Sequence, residues 1–295
     1  MCQPPARFKR CFCMSQSVSF RPWLDQGFLL IGRVRKTLVS RILHFKNLAS
    51  TCKGWLEAPL RLVFPHVCQV CLDATASAEE GYVCEKCVRS LRQIQAPCCQ
   101  RCGLPFEGEI SSGFECPNCH GVRFYFESAS SSVIANTLML DLLHRFKYQG
   151  ALWLEPLFER LFLEMLSNDH MRSEWDCVLP VPLHFVRERE RGYNQSSLLA
   201  QTMADRLDLP FCGKVLKRIA PTPSQTMLNR RERAENVANA FSVVADEAVA
   251  SKCVLLIDDV LTTGATTNAC AEVLMKAGAR VVSVRTLARG LGVSA

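Results

Sequence analysis

The sequence predicts an α/β protein, in which a mainly parallel sheet with flanking helices follows a small cysteine-rich module. In the C-terminal half, short apolar segments alternate with segments of helical apolar periodicity. Such strand–helix–strand alternation is typical of a parallel sheet. Upstream, four CxxC pairs lie between Cys68 and Cys119, and their density sets that region apart from the rest of the chain.

The sheet domain is expected to alternate helices and strands. We predict helices over Thr137–Tyr148 and Leu152–Leu166, because both segments carry an apolar face. The segments that follow are Asp176–Val181 (strand), Gln195–Leu207 (helix), Lys252–Ile257 (strand), Ala265–Lys276 (helix) and Arg280–Leu287 (strand).

Length and composition are those of an ordinary globular chain. The 295 residues suggest one large domain with a small one, or two modest domains. A hydrophobic fraction of 48% and a charged fraction of 21% exclude a wholly disordered chain. The formal net charge of +7 permits contact with phosphates or nucleic acid but requires neither.

We find no targeting or membrane-spanning segment in the sequence. The apolar run Phe28–Ile31 is too short for a signal core, and no stretch approaches the ~20 apolar residues that span a bilayer. Regular CxxC pairs among the 17 cysteines indicate metal binding in a reducing compartment rather than disulfides. We therefore expect a cytoplasmic protein without membrane insertion.

Residues 1–50 are expected to form a basic, poorly ordered N-terminal extension. Its basic cluster consists of Arg33, Arg35, Lys36, Arg41 and Lys46. Three interpretations stay open: a solvated tail, an arm that contacts nucleic acid or a membrane surface, and a misassigned start codon upstream of Met14. Residues 51–64 are predicted to form a linking helix, since apolar residues repeat at helical spacing from Trp55 to Val63.

Residues 65–122 form the predicted metal-binding module. Its four pairs are Cys68/Cys71, Cys84/Cys87, Cys99/Cys102 and Cys116/Cys119. Two thiolates three residues apart can bind one tetrahedral ion, and two such pairs complete a four-cysteine zinc site with no open position. We therefore predict a double zinc ribbon with structural Zn²⁺, in which the first pair could close on the second and the third on the fourth.

Alternatives stay open for this module. Cys98 could replace Cys99 as a ligand, although Cys99 has the correct spacing to Cys102. The pairs could interleave, or some could bind no zinc. One pair could be redox-active, but four in series favour metal.

The segment Val254–Thr266 has the composition of a ribose-phosphate site. A predicted strand runs into Asp258 and Asp259, whose carboxylates would accept hydrogen bonds from ribose hydroxyls. The loop and the start of the next helix contain Thr262, Thr263, Gly264, Ala265 and Thr266. Hydroxyls, backbone N–H groups and a helix N-terminus favour a phosphate dianion. The simpler alternative is an ordinary strand–turn–helix with capping Thr and Asp residues.

This segment resembles the loop that binds phosphoribosyl pyrophosphate (PRPP) in type I phosphoribosyltransferases. From Pro65 onward the chain resembles the ComF/GntX family, which joins a cysteine-rich module to a phosphoribosyltransferase-like domain. Further matching segments are Phe64–Pro65, Leu143–Gly150, Val181–Pro182 and Arg191–Gln195. The matching single residues are Gln225, Leu228, Arg233, Asn236 and Phe241.

The resemblance implies a type I phosphoribosyltransferase-like fold over residues 123–295, with a site for PRPP and Mg²⁺. Asp258 and Asp259 would be the catalytic pair that holds the ribose and assists the ion. Thr262–Thr266 would hold the 5′-phosphate. The preorganised site would act mainly by positioning groups and neutralising the leaving pyrophosphate.

The basic segments complete the implied site. A pyrophosphate loop would consist of Arg191, Gly192, Asn194 and Gln195, since guanidinium groups bind phosphate oxygens in a bidentate fork. For the preceding Arg187 and Arg189, a solvated helix face with paired charges is the simpler interpretation. Arg233 and Asn236 would contact the ligand from a flexible loop over Pro221–Asn239.

Two functions of different classes follow from the resemblance. In the first, a protein of natural competence and DNA uptake binds PRPP or a phosphoribosyl nucleotide. Its arginines and zinc module would then contact single-stranded DNA and proteins of the competence machinery. The alternative is an active phosphoribosyltransferase of nucleotide metabolism whose acceptor the sequence does not identify. A zinc-stiffened scaffold with a vestigial site is a third reading, against which the intact acids and threonines count.

Overall fold

The computed structural model describes residues 66–108, 115–167, 174–220, 237 and 239–291. Several expectations from the sequence lie outside the described residues. They are the extension over residues 1–50, the linking helix over residues 51–64, the matching residues Gln225 and Leu228, and the ligand contacts of Arg233 and Asn236. Of the predicted flexible loop over Pro221–Asn239, only Val237 and Asn239 are described.

Helices and strands alternate along the described chain. The helices are α1 (Glu85–Arg89), α2 (Thr137–Tyr148), α3 (Glu155–Ser167), α4 (Phe185–Arg191), α5 (Gln195–Leu207) and α6 (Ala265–Lys276). The strands are β1 (Ser128–Ile134), β2 (Cys177–Pro180), β3 (Leu216–Arg218), β4 (Phe241–Val243), β5 (Cys253–Leu261) and β6 (Val281–Arg289). None of the helices described has both the length and the apolar character needed to cross a membrane.

Four strands form a parallel sheet in the order β1-β6-β5-β2. Helices α2, α3 and α5 contribute to one buried apolar cluster, and α6 contributes to a second one. The predicted fold class, a mainly parallel sheet with flanking helices, is thereby confirmed. Strands β3 and β4 form a separate antiparallel pair that the sequence did not predict. Each of them has three residues, which is too short for a recognisable apolar period.

Strand β5 extends further than the sequence predicts. We expected the strand to end at Ile257, but β6 continues to pair with it as far as Leu261. Strand β2, on the other side of β5, ends at Pro180 opposite Ile257. Asp258 and Asp259 therefore lie on the strand itself, at the point where its other neighbour has stopped.

One helical segment differs in detail from the prediction, and another agrees with it. The helix expected over Leu152–Leu166 begins with a 3-10 turn and becomes α-helical at Glu155.

The run that contains Arg187 and Arg189 lies in α4, which has no buried residue. That placement agrees with the interpretation of the run as a solvated helix face.

The cysteine module packs against the sheet domain. Val83 and Leu91 belong to the same buried cluster as the apolar residues of α2 and α3. The module also covers the free edge of β1, where the Ile94 amide donates a hydrogen bond to the Ser132 carbonyl at 3.1 Å. Covering an edge strand satisfies backbone groups that would otherwise pair with another chain.

Candidate functional site

Two adjacent carboxylates on β5 form the centre of the candidate site. Asp258 and Asp259 are 9% and 5% exposed. The Ser196 hydroxyl of α5 donates a hydrogen bond to Asp258 Oδ1 at 2.8 Å, and the Asp259 amide donates to the same oxygen at 3.0 Å. The Lys147 Nζ of α2 lies 2.6 Å from Asp259 Oδ2. Each carboxylate is thus held by a partner from a different helix.

The Asp258 carboxyl has an unusual proton affinity. Burial, and after it the negative charge of Asp259, raises the pKa of Asp258 to about 7, although the Ser196 hydrogen bond and the Lys147 charge act in the opposite direction. A carboxyl with this pKa can accept or donate a proton near neutral pH. Its ionised form provides hard oxygen atoms of the kind that bind Mg²⁺ or ribose hydroxyls.

A short loop, Thr262–Gly264, connects β5 to α6. Gly264 is the N-cap of α6 with a φ of +84°, and a Cβ added there would lie 3.0 Å from Phe124 Cε1. Both facts favour glycine at this position. The Thr263 hydroxyl accepts a hydrogen bond from the Ala265 amide at 3.4 Å. Four residues of the predicted phosphate-binding set are half-buried, namely Thr262, Thr263, Ala265 and Thr266.

The predicted pyrophosphate segment Arg191–Gln195 forms the turn between α4 and α5. Asn194 Oδ1 accepts a hydrogen bond from the Ser196 amide at 3.1 Å, and Asn194 Nδ2 donates to the Val181 carbonyl at 3.1 Å. Gln195 is buried and accepts a hydrogen bond from the Arg191 guanidinium. The polar groups of Asn194 therefore hold the turn in place next to Asp258.

The same turn is attached to the end of α2. The Arg191 guanidinium lies 4.8 Å from the centroid of the Tyr148 ring, and the Tyr193 hydroxyl donates a hydrogen bond to the Phe146 carbonyl. These contacts place the basic turn beside the helix end that carries Lys147. The turn and Lys147 come from parts of the chain distant from β5, and they meet its acids and the loop before α6 at one end of the sheet.

Two residues of the site were not identified from the sequence. Lys147 lies within the matching segment Leu143–Gly150, and Ser196 directly follows the matching segment Arg191–Gln195. The available signal was membership of a matching segment for Lys147 and adjacency to one for Ser196. Their contacts with the acids of β5 are long-range, so spacing along the chain does not reveal them.

The eight paired cysteines form two clusters. The first cluster is Cys68, Cys71, Cys84 and Cys87, and the second is Cys99, Cys102, Cys116 and Cys119. Within each cluster the sulfur atoms all lie within 4.8 Å of one another. Cys99, rather than Cys98, belongs to the second cluster, and consecutive pairs close on each other instead of interleaving.

The sulfur positions fit zinc. The distances between opposed sulfur atoms are 3.8 and 3.8 Å in the first cluster and 3.7 and 3.6 Å in the second. A tetrahedral Zn²⁺ with bonds of ~2.3 Å places its sulfur ligands about 3.8 Å apart. Four thiolates fill the coordination of such an ion, so both clusters suit a structural rather than a catalytic Zn²⁺.

Comparisons with known proteins agree with a chain that consists of a cysteine module followed by a sheet domain. Residues 59–120 match the double zinc ribbon domain, and residues 178–292 match the phosphoribosyl transferase domain. An adenine phosphoribosyltransferase structure from Thermoanaerobacter pseudethanolicus is similar at 16% identity and a TM-score of 0.31, covering 52% of this chain and 84% of that chain.

Curated relatives match most of the chain. Competence protein F of Haemophilus influenzae is 31% identical over 214 residues, which cover 70% of this chain and 90% of the relative. DNA utilization protein YhgH of Escherichia coli K12 is 30% identical over 235 residues, which cover 78% of this chain and 100% of the relative. With its two cysteine clusters, its parallel sheet and this extent of similarity, the chain belongs to the ComF/GntX family, whose members join a double zinc ribbon to a phosphoribosyltransferase-like domain.

Proposed function

We propose that this protein binds PRPP or a phosphoribosyl nucleotide, together with Mg²⁺, and that it acts in DNA uptake or utilisation. One observation carries the binding proposal. Two buried acids lie near the end of a parallel strand, and after Val260 and Leu261 a Thr-Thr-Gly loop and the N-terminus of α6 follow. In open α/β sheets, ligands bind at the carboxyl ends of the strands.

The loop before α6 supplies the groups for a 5′-phosphate. Thr262, Thr263 and Thr266 offer hydroxyls, and the amides of the first turn of α6 lie outside the hydrogen-bond ladder of the helix. The helix dipole adds positive potential at that end. Because Gly264 has no side chain, the backbone can approach the phosphate closely.

Asp258 and Asp259 supply the groups for the ribose. Their oxygens would accept hydrogen bonds from the 2′- and 3′-hydroxyls and would bind Mg²⁺, which supplies a charge that neutralises pyrophosphate. Lys147 Nζ forms an ion pair with Asp259 Oδ2 at 2.6 Å. A ligand that engages Asp259 would therefore compete with Lys147, whose ammonium group would then be available to the pyrophosphate, as would the guanidinium of Arg191.

The cellular role is proposed from the relatives, whose names are competence protein F and DNA utilization protein. In the proposed role, the protein works in the cytoplasm with single-stranded DNA and with proteins of the competence machinery. On α4, Arg187 is half-buried and Arg189 is exposed, so both can reach a phosphate backbone. Binding of single-stranded DNA should weaken as the salt concentration rises. Changing either arginine to Ala should reduce the steepness of the plot of log affinity against log salt concentration by about 0.7. An unchanged slope in both variants would remove α4 from the DNA surface.

One observation favours the alternative, an active phosphoribosyltransferase. Asp258 has a pKa of about 7, which suits a group that accepts a proton from an acceptor near neutral pH. In that reaction an acceptor nucleophile would bond to the anomeric carbon as the bond to pyrophosphate breaks. This alternative is tested by measuring pyrophosphate release from PRPP in the presence of a panel of nucleobases and amines. If a sample that binds PRPP releases no pyrophosphate with any of them, the alternative fails and only the binding proposal stands.

The binding proposal is tested by calorimetric titration of the zinc-loaded protein with PRPP and Mg²⁺. We expect saturable binding to the wild type and at least a tenfold loss in Asp259→Asn, which removes about 1.4 kcal/mol or more of interaction. Asp205→Asn is the matched control, since Asp205 is exposed on α5 and bonds only to Gln201 among the contacts described for it. Absence of binding to a folded, zinc-loaded wild type would overturn the proposal.

A further inference from the structure

Arg289, the last residue of β6, is a buried arginine that the proposed ligand site does not use. It is 1% exposed. Its guanidinium donates hydrogen bonds to four backbone carbonyls: Cys102, Leu261, Thr262 and Gly290. A buried charge is tolerated where its donors are satisfied; here carbonyl groups accept from Nε and Nη1, and Nη2 faces the Cys102 sulfur at 3.8 Å.

One end of this network is the second cysteine cluster. Arg289 Nε lies 3.1 Å from the Cys102 carbonyl, and Nη2 lies 3.8 Å from the Cys102 sulfur. Cys102 is 1% exposed. The adjacent Gly103 is pressed against β1, where an added Cβ would lie 2.6 Å from the Ala129 carbonyl. The backbone around this cysteine is therefore fixed against the sheet domain on two sides.

The other end of the network is the entrance to the proposed 5′-phosphate loop. Arg289 Nη1 donates to the Leu261 carbonyl at 3.1 Å and also to the Thr262 carbonyl. These are the last residue of β5 and the first residue of the loop. A single guanidinium thus joins a cysteine of the second cluster to the backbone that sets the position of the loop.

A second contact runs in parallel with the first. The segment after Cys119 leads to Phe124, whose ring lies against Gly264. The Tyr125 amide donates a hydrogen bond of 2.6 Å to the Asn268 side chain in the first turns of α6. The chain that leaves the second cluster therefore packs on the same loop that Arg289 holds from the other side.

The first cluster contacts a different part of the domain. Gln69, between Cys68 and Cys71, accepts a hydrogen bond of 2.8 Å from Arg145 of α2. The two clusters thus have the same chemistry but different neighbours, which makes the first a natural control for the second.

We propose that Arg289 is a positioning residue that couples the second zinc cluster to the 5′-phosphate loop, so that loss of zinc from that cluster loosens the loop. The identity of the loop's ligand rests on the proposed function, whereas the coupling itself does not. Lysine cannot replace the arginine, because an ammonium group lacks the planar fork that reaches several acceptors at once. Coupling of two sites is reciprocal in binding free energy, so a ligand bound at the loop must also raise the affinity of the second cluster for zinc.

Two measurements test the coupling without any ligand. Hydrogen exchange reports the opening of residues 261–268, and a chromogenic chelator followed by mapped cysteine alkylation reports zinc loss from each cluster. For Arg289→Lys and Arg289→Met we expect exchange in the loop and zinc loss from the second cluster to rise by about fivefold or more. The control is Arg280→Lys, at the opposite end of β6, where the guanidinium bonds to Cys253 outside both clusters.

The cysteine variants test the coupling from the other side in an otherwise unchanged chain. Cys119→Ser should raise exchange in residues 261–268, whereas Cys71→Ser, the matched change in the first cluster, should not. Equal effects of the two variants on the loop would overturn the proposal. So would unchanged exchange in the loop of Cys119→Ser after the second cluster has lost its zinc.

Addition of PRPP with Mg²⁺ separates this inference from the proposed function. Bound PRPP should lower the fraction of zinc that the chelator removes from the second cluster in the wild type, and should lower it less in Arg289→Lys. If the wild type binds no PRPP, the proposed function fails and the exchange results still decide the coupling. If it binds PRPP while zinc loss and loop exchange stay unchanged, the coupling fails alone.

Discussion

Asp258→Asn should stabilise the protein at alkaline pH while it removes ligand binding. The pKa of Asp258 lies at about 7 against an ordinary value of 3.8, because of burial first and the Asp259 charge second. The folded state therefore binds a proton more tightly than the unfolded state, and stability falls as pH rises through the range from about 4 to about 7. Above that range Asp258 is ionised in the folded state, and the stability of the protein is reduced by the full free-energy cost of burying the charge.

The magnitude follows from the same values. The difference between 3.8 and about 7 corresponds to roughly 4 kcal/mol at about 1.36 kcal/mol per pKa unit. Asparagine keeps an oxygen for the Ser196 hydroxyl and the Asp259 amide, but it buries a new NH₂ group at a cost of about 1–3 kcal/mol. We therefore expect Asp258→Asn to be more stable than the wild type by about 1–3 kcal/mol at pH 8.5.

Urea unfolding of zinc-loaded protein at pH 6 and pH 8.5 measures this effect through the midpoint and slope of the transition. The advantage of Asp258→Asn should be larger at pH 8.5 by about 1 kcal/mol, since the wild-type carboxyl loses its proton between these values. Asp205→Asn, on the exposed face of α5, should show no such change. Equal stability of Asp258→Asn and the wild type at both pH values would refute the electrostatic account of the site.

Three further changes have definite expected outcomes. Gly264→Ala should lower stability by roughly 1–2 kcal/mol in urea unfolding and weaken PRPP binding, because φ is +84° and the new Cβ would meet Phe124 at 3.0 Å; unaltered stability would contradict the strain. Lys147→Met should cost roughly 3 kcal/mol at pH 8, since it leaves Asp259 buried without its 2.6 Å partner, and a neutral effect would show that water replaces the ammonium group. Chelation of zinc should melt the cysteine module in circular dichroism and release about two Zn²⁺ per chain if each four-cysteine cluster holds one ion; release of about one would exclude one cluster.

The fold was largely predictable because the strongest signals are local. Ala265–Lys276 was predicted as a helix with the bounds that the structure shows. Its apolar periodicity indicates the buried face, and the preceding glycine indicates where the helix begins. The CxxC pairs were equally clear, because two thiolates at that spacing need only a second pair to complete a site. The β3–β4 pair gave no such signal, because each strand is three residues long.

The site was predictable in its composition but not in its contacts. The acids and threonines of Asp258–Thr266 lie within nine residues, so their chemistry can be read along the chain. The end of β5 could not be predicted from the sequence, because it depends on where β6 stops pairing with β5 and not on the residues of β5 alone. Lys147 and Arg289 reach their partners across the fold, and only tertiary packing determines which of the chain's many basic residues do so.

The central claim is that the segment from Asp258 to Thr266 binds a ribose 5-phosphate group. A crystal structure of the zinc-loaded protein with PRPP and Mg²⁺ tests it most directly. We predict that the 5′-phosphate oxygens lie about 2.7–3.2 Å from the amides and hydroxyls of Thr262–Thr266, with the ribose hydroxyls on Asp258 and Asp259. A ligand bound elsewhere, with this loop in contact only with solvent, would contradict the account.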